Sequence, residues 1–128
     1  MIAQNKYPGS AKVKSMTDDY IPDRWVVVNF VNEGERFNKV LAGWKGGYLD
    51  GDYWRMNSGI TEAIEEPEHW LFHGASGSIY RCAKGRYGVT GLAASVLRNL
   101  LDKNSDTVTI VLLPEDTDWA TIEMVQSG

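Results

Sequence analysis

One segment limits the fold of this chain more than any other. Residues 24–31 read Arg-Trp-Val-Val-Val-Asn-Phe-Val, a run that is rich in β-branched residues and almost entirely apolar. This composition favours an extended strand. Because neighbouring strand residues point to opposite faces, an apolar run of this kind needs cover on both sides. We therefore predict that residues 25–31 form a central strand.

The rest of the chain alternates between strand patterns and turn residues, with one exception. Residues 91–102 place Leu92, Val96 and Leu100 on one face, as in an amphipathic helix, and Thr90 is the predicted N-cap. Strand patterns occupy residues 36–44, 53–58, 60–64, 69–72, 78–83 and 106–113, of which we expect the last to be buried. The predicted fold is α+β, with an antiparallel sheet of about six strands and one main helix, residues 91–102.

Length and composition predict one domain. The chain has 128 residues, of which 43% are hydrophobic, and no apolar run is long enough to span a bilayer. Residues 1–23 are polar and interrupted by prolines, so we expect an irregular arm followed by a single globular domain, residues 24–128. Within that domain, residues 116–125 fit a short helix slightly better than a strand. A single cysteine and the absence of a signal-peptide pattern predict a cytoplasmic protein.

The charges are unevenly distributed. The net charge is −4, which argues against binding to duplex nucleic acid. Residues 69–101 nevertheless contain four basic residues and no acidic one, and residues 36–49 contain three basic residues and no acidic one. A locally positive surface on an acidic protein favours a compact anionic ligand over a long polyanion.

The loop before the predicted helix is the strongest candidate for an anion site. Residues 84–91 read Lys-Gly-Arg-Tyr-Gly-Val-Thr-Gly and lead directly into the helix N-terminus. Unpaired amides and the positive end of the helix dipole favour phosphate or carboxylate there. Lys84 and Arg86 would add charge, and Tyr87 could stack on a base. The alternative is a solvated loop that ends in a threonine cap.

A glycine-rich aromatic stretch is the second candidate. Residues 43–59 contain five glycines and four aromatic residues. Such a mixture is found in binding loops, and it is also found in short twisted hairpins. The combined set of candidate ligand-binding residues is Trp44, Lys45, Tyr48, Trp54, Arg55, Arg81, Lys84, Arg86, Tyr87 and Thr90.

Patterns for catalysis and metal binding are weak. Residues 74–78 resemble a nucleophile elbow, but Ser78 stands where the second glycine is required, so a turn is favoured. Cys82 lies in a strand pattern, as expected for a core thiol. His69 and His73 would align only on a helix, whereas the residues between them predict a strand. We expect no enzyme activity, no cofactor and no metal.

Three segments carry a resemblance to known proteins. They are Gly-Gly-Tyr-Leu-Asp-Gly-Asp-Tyr-Trp-Arg-Met-Asn-Ser-Gly-Ile (46–60), Ser-Gly-Ser-Ile-Tyr-Arg-Cys (76–82) and Asp-Thr-Asp-Trp (116–119). They resemble segments of small accessory proteins of tailed bacteriophages, over residues 24–119. The resemblance brings no assigned activity and no catalytic residues. It implies a role in host takeover or anti-defence, where several such factors sequester nucleotide signals of bacterial immunity.

These observations lead to two functional hypotheses. The first is an anti-defence sponge that binds a small anionic, nucleotide-like ligand without turnover in the host cytoplasm. The alternative is an inhibitor that blocks a host defence enzyme through an exposed aromatic face. An enzyme such as a nucleotide hydrolase ranks third, because no acid–base pair can be identified. The abundant aromatic residues also predict a two-fold homodimer.

Overall fold

A computed structural model describes residues 19–45 and 52–121. These residues form mostly antiparallel sheet with a single helix, which confirms the predicted α+β fold. The elements are β1 (Arg24–Asn32), β2 (Glu35–Trp44), β3 (Tyr53–Met56), β4 (Ile60–Glu65), β5 (His69–Gly74), β6 (Ile79–Ala83), α1 (Gly91–Leu101) and β7 (Val108–Leu112).

The seven strands form two sheets, whereas the sequence predicted one sheet of about six strands. The first sheet has the order β3-β2-β1-β7, and the second has the order β4-β5-β6. The chain passes from one sheet to the other at residues 57–59. Gly59 has a φ of 128°, which residues with a side chain rarely adopt, and the next residue, Ile60, is completely buried. A local backbone turn followed by a core residue therefore separates β3 from β4.

Strand β1 is an inner strand of the first sheet, as its sequence predicted, and both of its faces are covered. Val26 and Val28 pack with Leu97 of α1 on one side of the first sheet. Trp25 and Val27 pack on the other side, against residues of the second sheet. The four β1 residues from Trp25 to Val28 are buried because each face has its own covering layer.

Helix α1 lies close to the first sheet. A Cβ atom placed on Gly43 of β2 would be 3.0 Å from the Cβ of Ala93. The missing side chain at Gly43 therefore allows the helix to approach β2, and this sets the position of the helix start relative to the ends of β1 and β2.

The C-terminal segment returns to the core between the sheets. Trp119 is 2% exposed and packs against Trp25, Phe72 and Tyr87. Residues 119–121 form a turn, and no helix begins within residues 116–121, so the helix predicted there is wrong for this part. Residues 122–125 lie outside the described residues.

Two further expectations need correction. β7 is the last strand of the first sheet, and Thr109, Val111 and Leu112 are exposed, so it is not the buried strand that was predicted. Its apolar composition suggested two covered faces, but within this strand only Ile110 is buried.

Near the other end of the chain, Tyr20 pairs with β6: its N–H donates to the carbonyl of Ile79 at 2.9 Å. The end of the predicted arm therefore lies against the domain.

Within the described ranges, no helix combines the length and the hydrophobicity needed to cross a bilayer.

Candidate functional site

A cleft lies where the start of β1, the end of β2 and the connection between β6 and α1 meet. Its volume is about 670 Å³. We call it the cationic cleft, and its lining residues are Pro22, Asp23, Arg24, Lys45, Ala83, Arg86 and Thr90.

Backbone hydrogen bonds join the three walls of the cationic cleft. The N–H of Trp25 donates to the carbonyl of Arg86 at 3.3 Å, which attaches the β6–α1 connection to β1. The N–H of Asp23 donates to the carbonyl of Gly43 at 3.0 Å, which attaches residues 19–23 to β2. The positions of Arg24, Lys45 and Arg86 are thus set by the sheet and not by flexible loops alone.

Positive charge dominates the lining. Arg24, Lys45 and Arg86 each contribute a cation, and the ion pairs shown among residues 19–45 and 52–121 involve none of them. Asp23 is the one acidic residue in the lining, and its Oδ2 accepts a hydrogen bond from the Lys45 N–H at 2.7 Å. The cationic cleft therefore presents three positive side chains that have room to bind an anion.

The start of α1 differs from the prediction. Thr90 occupies the N-cap position in an extended conformation, but its side chain makes no capping hydrogen bond. Gly91 has a φ of 58°, and the carboxylate of Asp52 occupies the space that a Cβ on Gly91 would need. A negative charge is favourable at a helix N-terminus. The carboxylate of Asp52 therefore lies beside the first residue of α1.

Arg81 and Lys84 do not lie in the cationic cleft. Arg81 forms ion pairs with Asp19 at 2.9 Å and with Glu66 at 2.6 Å. Lys84 forms an ion pair with Glu65 at 2.6 Å, and its ammonium lies 5.7 Å from the ring centre of Trp70. An acidic residue of β4 thus holds Lys84 away from Arg86, which lines the cationic cleft.

Tyr87, the predicted stacking ring, packs against the core and is not among the residues that line the cationic cleft. Its hydroxyl accepts a hydrogen bond from the Val27 N–H at 3.0 Å and donates one to the Leu113 carbonyl at 2.5 Å. Its ring meets the ring of Trp25 edge-on, with centres 4.9 Å apart. Burial raises the pKa of Tyr87 to about 12.

The lining of the cationic cleft, as far as the structure describes it, includes none of the aromatic candidates of β2 and β3. The rings of Trp44 and Tyr53 are stacked, with centres 5.0 Å apart and planes 9° apart. Trp54, the next residue of β3, is exposed. Arg55 is engaged elsewhere, since its guanidinium lies 4.6 Å from the ring centre of Tyr20. Tyr48 lies outside the described residues.

Of the ten sequence candidates, the structure brings Lys45, Arg86 and Thr90 together. Sequence analysis missed Arg24 and Asp23. One feature of the sequence could have identified Arg24 as a site residue: it is a basic residue at the first position of the central strand. In an antiparallel hairpin this position lies next to the end of the returning strand, and Arg24 does pair with Gly43, two residues before Lys45.

The residues considered for nucleophilic or metal chemistry have other surroundings. Ser76 lies in the turn between β5 and β6, where its N–H donates to the Ser58 hydroxyl at 2.8 Å. Cys82 is fully buried, and burial raises the pKa of its thiol well above the usual value. Across the part of the chain that the structure describes, no group of three or more His, Cys, Asp or Glu residues is placed to hold a metal ion.

Comparisons of the chain with protein-family models, with curated proteins and with solved structures gave no significant match.

Proposed function

We propose that this protein binds and sequesters a compact, anionic, nucleotide-like ligand in the cationic cleft, without converting it. The observation that carries the proposal is the convergence of Arg24, Lys45 and Arg86 on one cleft. These residues come from three separate parts of the sequence, and only the fold places their charges together.

The size and chemistry of the cleft support a phosphorylated small molecule. Ligand pockets commonly have volumes of roughly 300–1,000 Å³, and the cationic cleft, at about 670 Å³, is of this size. A guanidinium presents a planar set of donors that matches the oxygens of a phosphate group, and a lysine adds a mobile point charge. Arg24 and Arg86 would therefore bind phosphate directly, with Lys45 as a third contact.

One exposed ring of β3 supports a base or another flat group as the second part of the ligand. Trp54 is exposed and pairs with Gly43, which in turn pairs with Arg24 of β1, so Trp54 and Arg24 lie on the same face of the sheet. Tyr53 lies on the opposite face, where its ring is stacked on that of Trp44. Stacking of a base on an aromatic side chain contributes about 1–3 kcal/mol. A ligand with a phosphate in the cationic cleft and its base on β3 would use both features.

The biological setting of the proposal comes from the resemblance to phage accessory proteins. In that setting the ligand would be a nucleotide signal of bacterial immunity, and sequestration would lower its free concentration in the host cytoplasm. The ligand would then leave the protein chemically unchanged.

The test is a calorimetric titration series with cyclic nucleotides and ADP-ribose derivatives, followed by chromatography of the recovered ligand. We expect saturable binding of at least one compound, which is recovered intact. Recovery of an altered compound would contradict sequestration and indicate an enzyme. Absence of binding across the series at low ionic strength would contradict the proposal as a whole.

A second candidate function is inhibition of a host protein through an exposed apolar surface. Ile21, Tyr53, Trp54 and Leu92 are exposed by 55%, 51%, 40% and 44%. Ile21 precedes a residue that lines the cationic cleft, and Leu92 follows the start of α1. Exposed aromatic side chains near arginines are common at the centres of protein interfaces. This candidate predicts co-purification of a host protein that is lost when Trp54 is replaced by Ala.

We also propose that the protein forms a two-fold dimer. β7 ends the first sheet, and its Val111 and Leu112 are exposed by 44% and 39%. The N–H and carbonyl groups of Val108 and Ile110 on the outer edge of β7 are already hydrogen-bonded to Ser105 and Asn104. The second copy would therefore pack against the exposed apolar side chains of this strand instead of extending the sheet. Light scattering at micromolar concentrations tests this proposal, and a monomer across that range would contradict it.

A further inference from the structure

One acidic residue, Asp23, lines the cationic cleft together with its three cations. The N–H of Asp23 donates to the carbonyl of Gly43 at 3.0 Å, and its Oδ2 accepts a hydrogen bond from the Lys45 N–H at 2.7 Å. Both bonds go to the backbone at the end of β2. The sheet therefore fixes the carboxylate of Asp23 in the cleft, and ion pairing with the cations is not needed to hold it there.

The carboxylate of Asp23 can accept further hydrogen bonds. An ionised carboxylate has about four lone-pair sites on its two oxygens, and the hydrogen bond shown for this one is that from Lys45. The ion pairs seen in the described part of the chain do not include Asp23. A carboxylate in an anion site weakens the binding of a bare anion, because like charges repel each other. It favours only a ligand that brings a hydrogen-bond donor along with its negative charge.

We propose that Asp23 is a specificity-determining residue of the cationic cleft, which accepts hydrogen bonds from the ribose hydroxyl groups of a nucleotide. The inference rests on the proposed function and narrows its ligand class. Ribonucleotides bind more tightly than nucleotides whose sugar lacks these hydroxyl groups, and more tightly than inorganic phosphate.

The position of Asp23 relative to the strands supports ribose as the donor. Gly43, which accepts the hydrogen bond from the Asp23 N–H, pairs with Arg24 of β1 on one side and with Trp54 of β3 on the other. In a nucleotide the ribose lies between the phosphate and the base. A phosphate on Arg24 and a base on Trp54 would therefore bring the ribose close to Gly43, and so to Asp23.

The chemistry of the contact makes it selective. A hydroxyl group that donates to a carboxylate forms a charge-assisted hydrogen bond, which is stronger than a bond between neutral groups. A ligand without the hydroxyl groups would displace water from Asp23 and leave the carboxylate without a replacement donor. Sites that hydrogen-bond a hydroxyl group reject analogues lacking it for this reason.

The test begins with the full-length wild type and three probes: adenosine 5′-monophosphate, its 2′,3′-dideoxy analogue and inorganic phosphate. Calorimetry at low ionic strength should show that the ribonucleotide binds about 10- to 150-fold more tightly than the dideoxy analogue, the effect of one hydrogen bond to a charged group. Both nucleotides carry the same phosphate, so both affinities should fall as the salt concentration rises while their ratio is retained.

Asp23→Asn assigns this ratio to the carboxylate. The asparagine oxygen can still accept from the Lys45 N–H, but its amide group cannot accept a hydrogen bond from ribose. The ratio should fall by about 5- to 10-fold, the difference between a hydrogen bond to a charged group and one to a neutral group. Inorganic phosphate should bind about 2- to 5-fold more tightly, because one negative charge has been removed from the cleft. These opposite changes distinguish recognition of ribose from a general loss of structure or a general change of charge.

Two further variants complete the comparison. Asp106→Asn is the same substitution at an exposed residue before β7, whose first residue, Val108, pairs with Asn32 at the opposite end of β1 from the cleft. It should leave the ratio unchanged. Asp23→Glu keeps the charge but moves the carboxylate by one methylene group, so it should also lower the ratio. It decides the result if circular dichroism shows that Asp23→Asn is unfolded.

The outcomes separate this inference from the proposed function. The role of Asp23 is wrong if the wild type binds phosphate but does not prefer the ribonucleotide, if Asp23→Asn retains the ratio, or if Asp106→Asn lowers it equally. The cationic cleft would then remain an anion site. If the wild type binds none of the three probes at low ionic strength, the proposed function is wrong and this inference with it.

Discussion

The hydroxyl oxygen of Tyr87 accepts a hydrogen bond from the backbone N–H of Val27, and the two atoms are 3.0 Å apart. This bond joins the connection before α1 to the central strand. Arg86, the preceding residue, lines the cationic cleft, while Tyr87 points into the core. These adjacent residues therefore have different roles. Tyr87 anchors the connection between β6 and α1 to the core, and Arg86 lines the cleft in which we propose that the ligand binds.

Replacing Tyr87 by Phe should destabilise the protein by about 1–3 kcal/mol, because the Val27 N–H and the Leu113 carbonyl would lose a buried partner. Urea unfolding monitored by tryptophan fluorescence would measure the change. Tyr53→Phe, on an exposed side chain, is the matched control and should change the free energy of unfolding by less than about 0.5 kcal/mol. Equal effects of the two variants would contradict the anchoring role.

Stability should also fall at alkaline pH through Tyr87. Burial raises its pKa to about 12 in the folded protein, above the ordinary value of 10.0. Between these two values the unfolded chain has lost the proton while the folded protein retains it, so stability decreases as pH rises across this window. Below pH 10 the contribution is fully present. Denaturation from pH 9 to 12 should show a shallower decrease for Tyr87→Phe than for the wild type, and identical slopes would contradict the prediction.

Replacing Val27 by Asp should unfold the domain. Val27 is completely buried in the central strand between the first and second sheets, and an unpaired carboxylate there costs several kcal/mol, against a total stability of about 5–15 kcal/mol. Circular dichroism and thermal unfolding would detect the loss. Val111→Asp introduces the same charge at an exposed position of β7 and should remain folded. A melting temperature of Val27→Asp equal to that of the wild type would contradict the assignment of the core.

Replacing Gly91 by Ala should destabilise the protein more than replacing Gly85 by Ala. Both glycines have positive φ values, 58° and 83°, so both variants carry the cost of a left-handed conformation, about 1–2 kcal/mol. Only at Gly91 would the new Cβ displace the Asp52 carboxylate, whereas the space beside Gly85 is open. The difference, measured by chemical denaturation, should be about 0.3–1 kcal/mol, the usual contribution of a charge at a helix terminus. It should disappear when Asp52 is also replaced by Ala.

Replacing Arg86 by Ala should weaken ligand binding by about 10- to 150-fold, the effect of losing one charge-assisted contact of roughly 1.5–3 kcal/mol. The fold should be retained, since the Arg86 side chain is exposed. Arg98→Ala removes the same charge from the last turn of α1 and should leave the affinity unchanged. Calorimetry with the ligand found for the wild type is the measurement. An unchanged affinity of Arg86→Ala at both low and physiological ionic strength would place the anion elsewhere.

Local pattern was sufficient for the two main elements, β1 and α1. The apolar run at residues 24–31 predicted β1, and the spacing of Leu92, Val96 and Leu100 predicted α1, because periodicity within one segment reflects which of its faces is covered. The division into two sheets was not predicted. It depends on the backbone at Gly59 and on which partners each strand finds, and neither is visible in the pattern of a single segment.

The candidate site shows the same limit. The sequence alone identified Lys45, Arg86 and Thr90, because positive charge, glycine and the start of a helix are local features. Only the tertiary structure decided which cations remain available. Arg81 meets Asp19, which is 62 residues away in sequence, and Lys84 meets Glu65, 19 residues away, so both are neutralised by acidic residues of distant segments. Arg24 enters the cationic cleft because β1 and β2 are antiparallel. The sequence shows how many basic residues a segment contains. Only the tertiary structure shows which of them are paired with acidic residues and which remain available at a site.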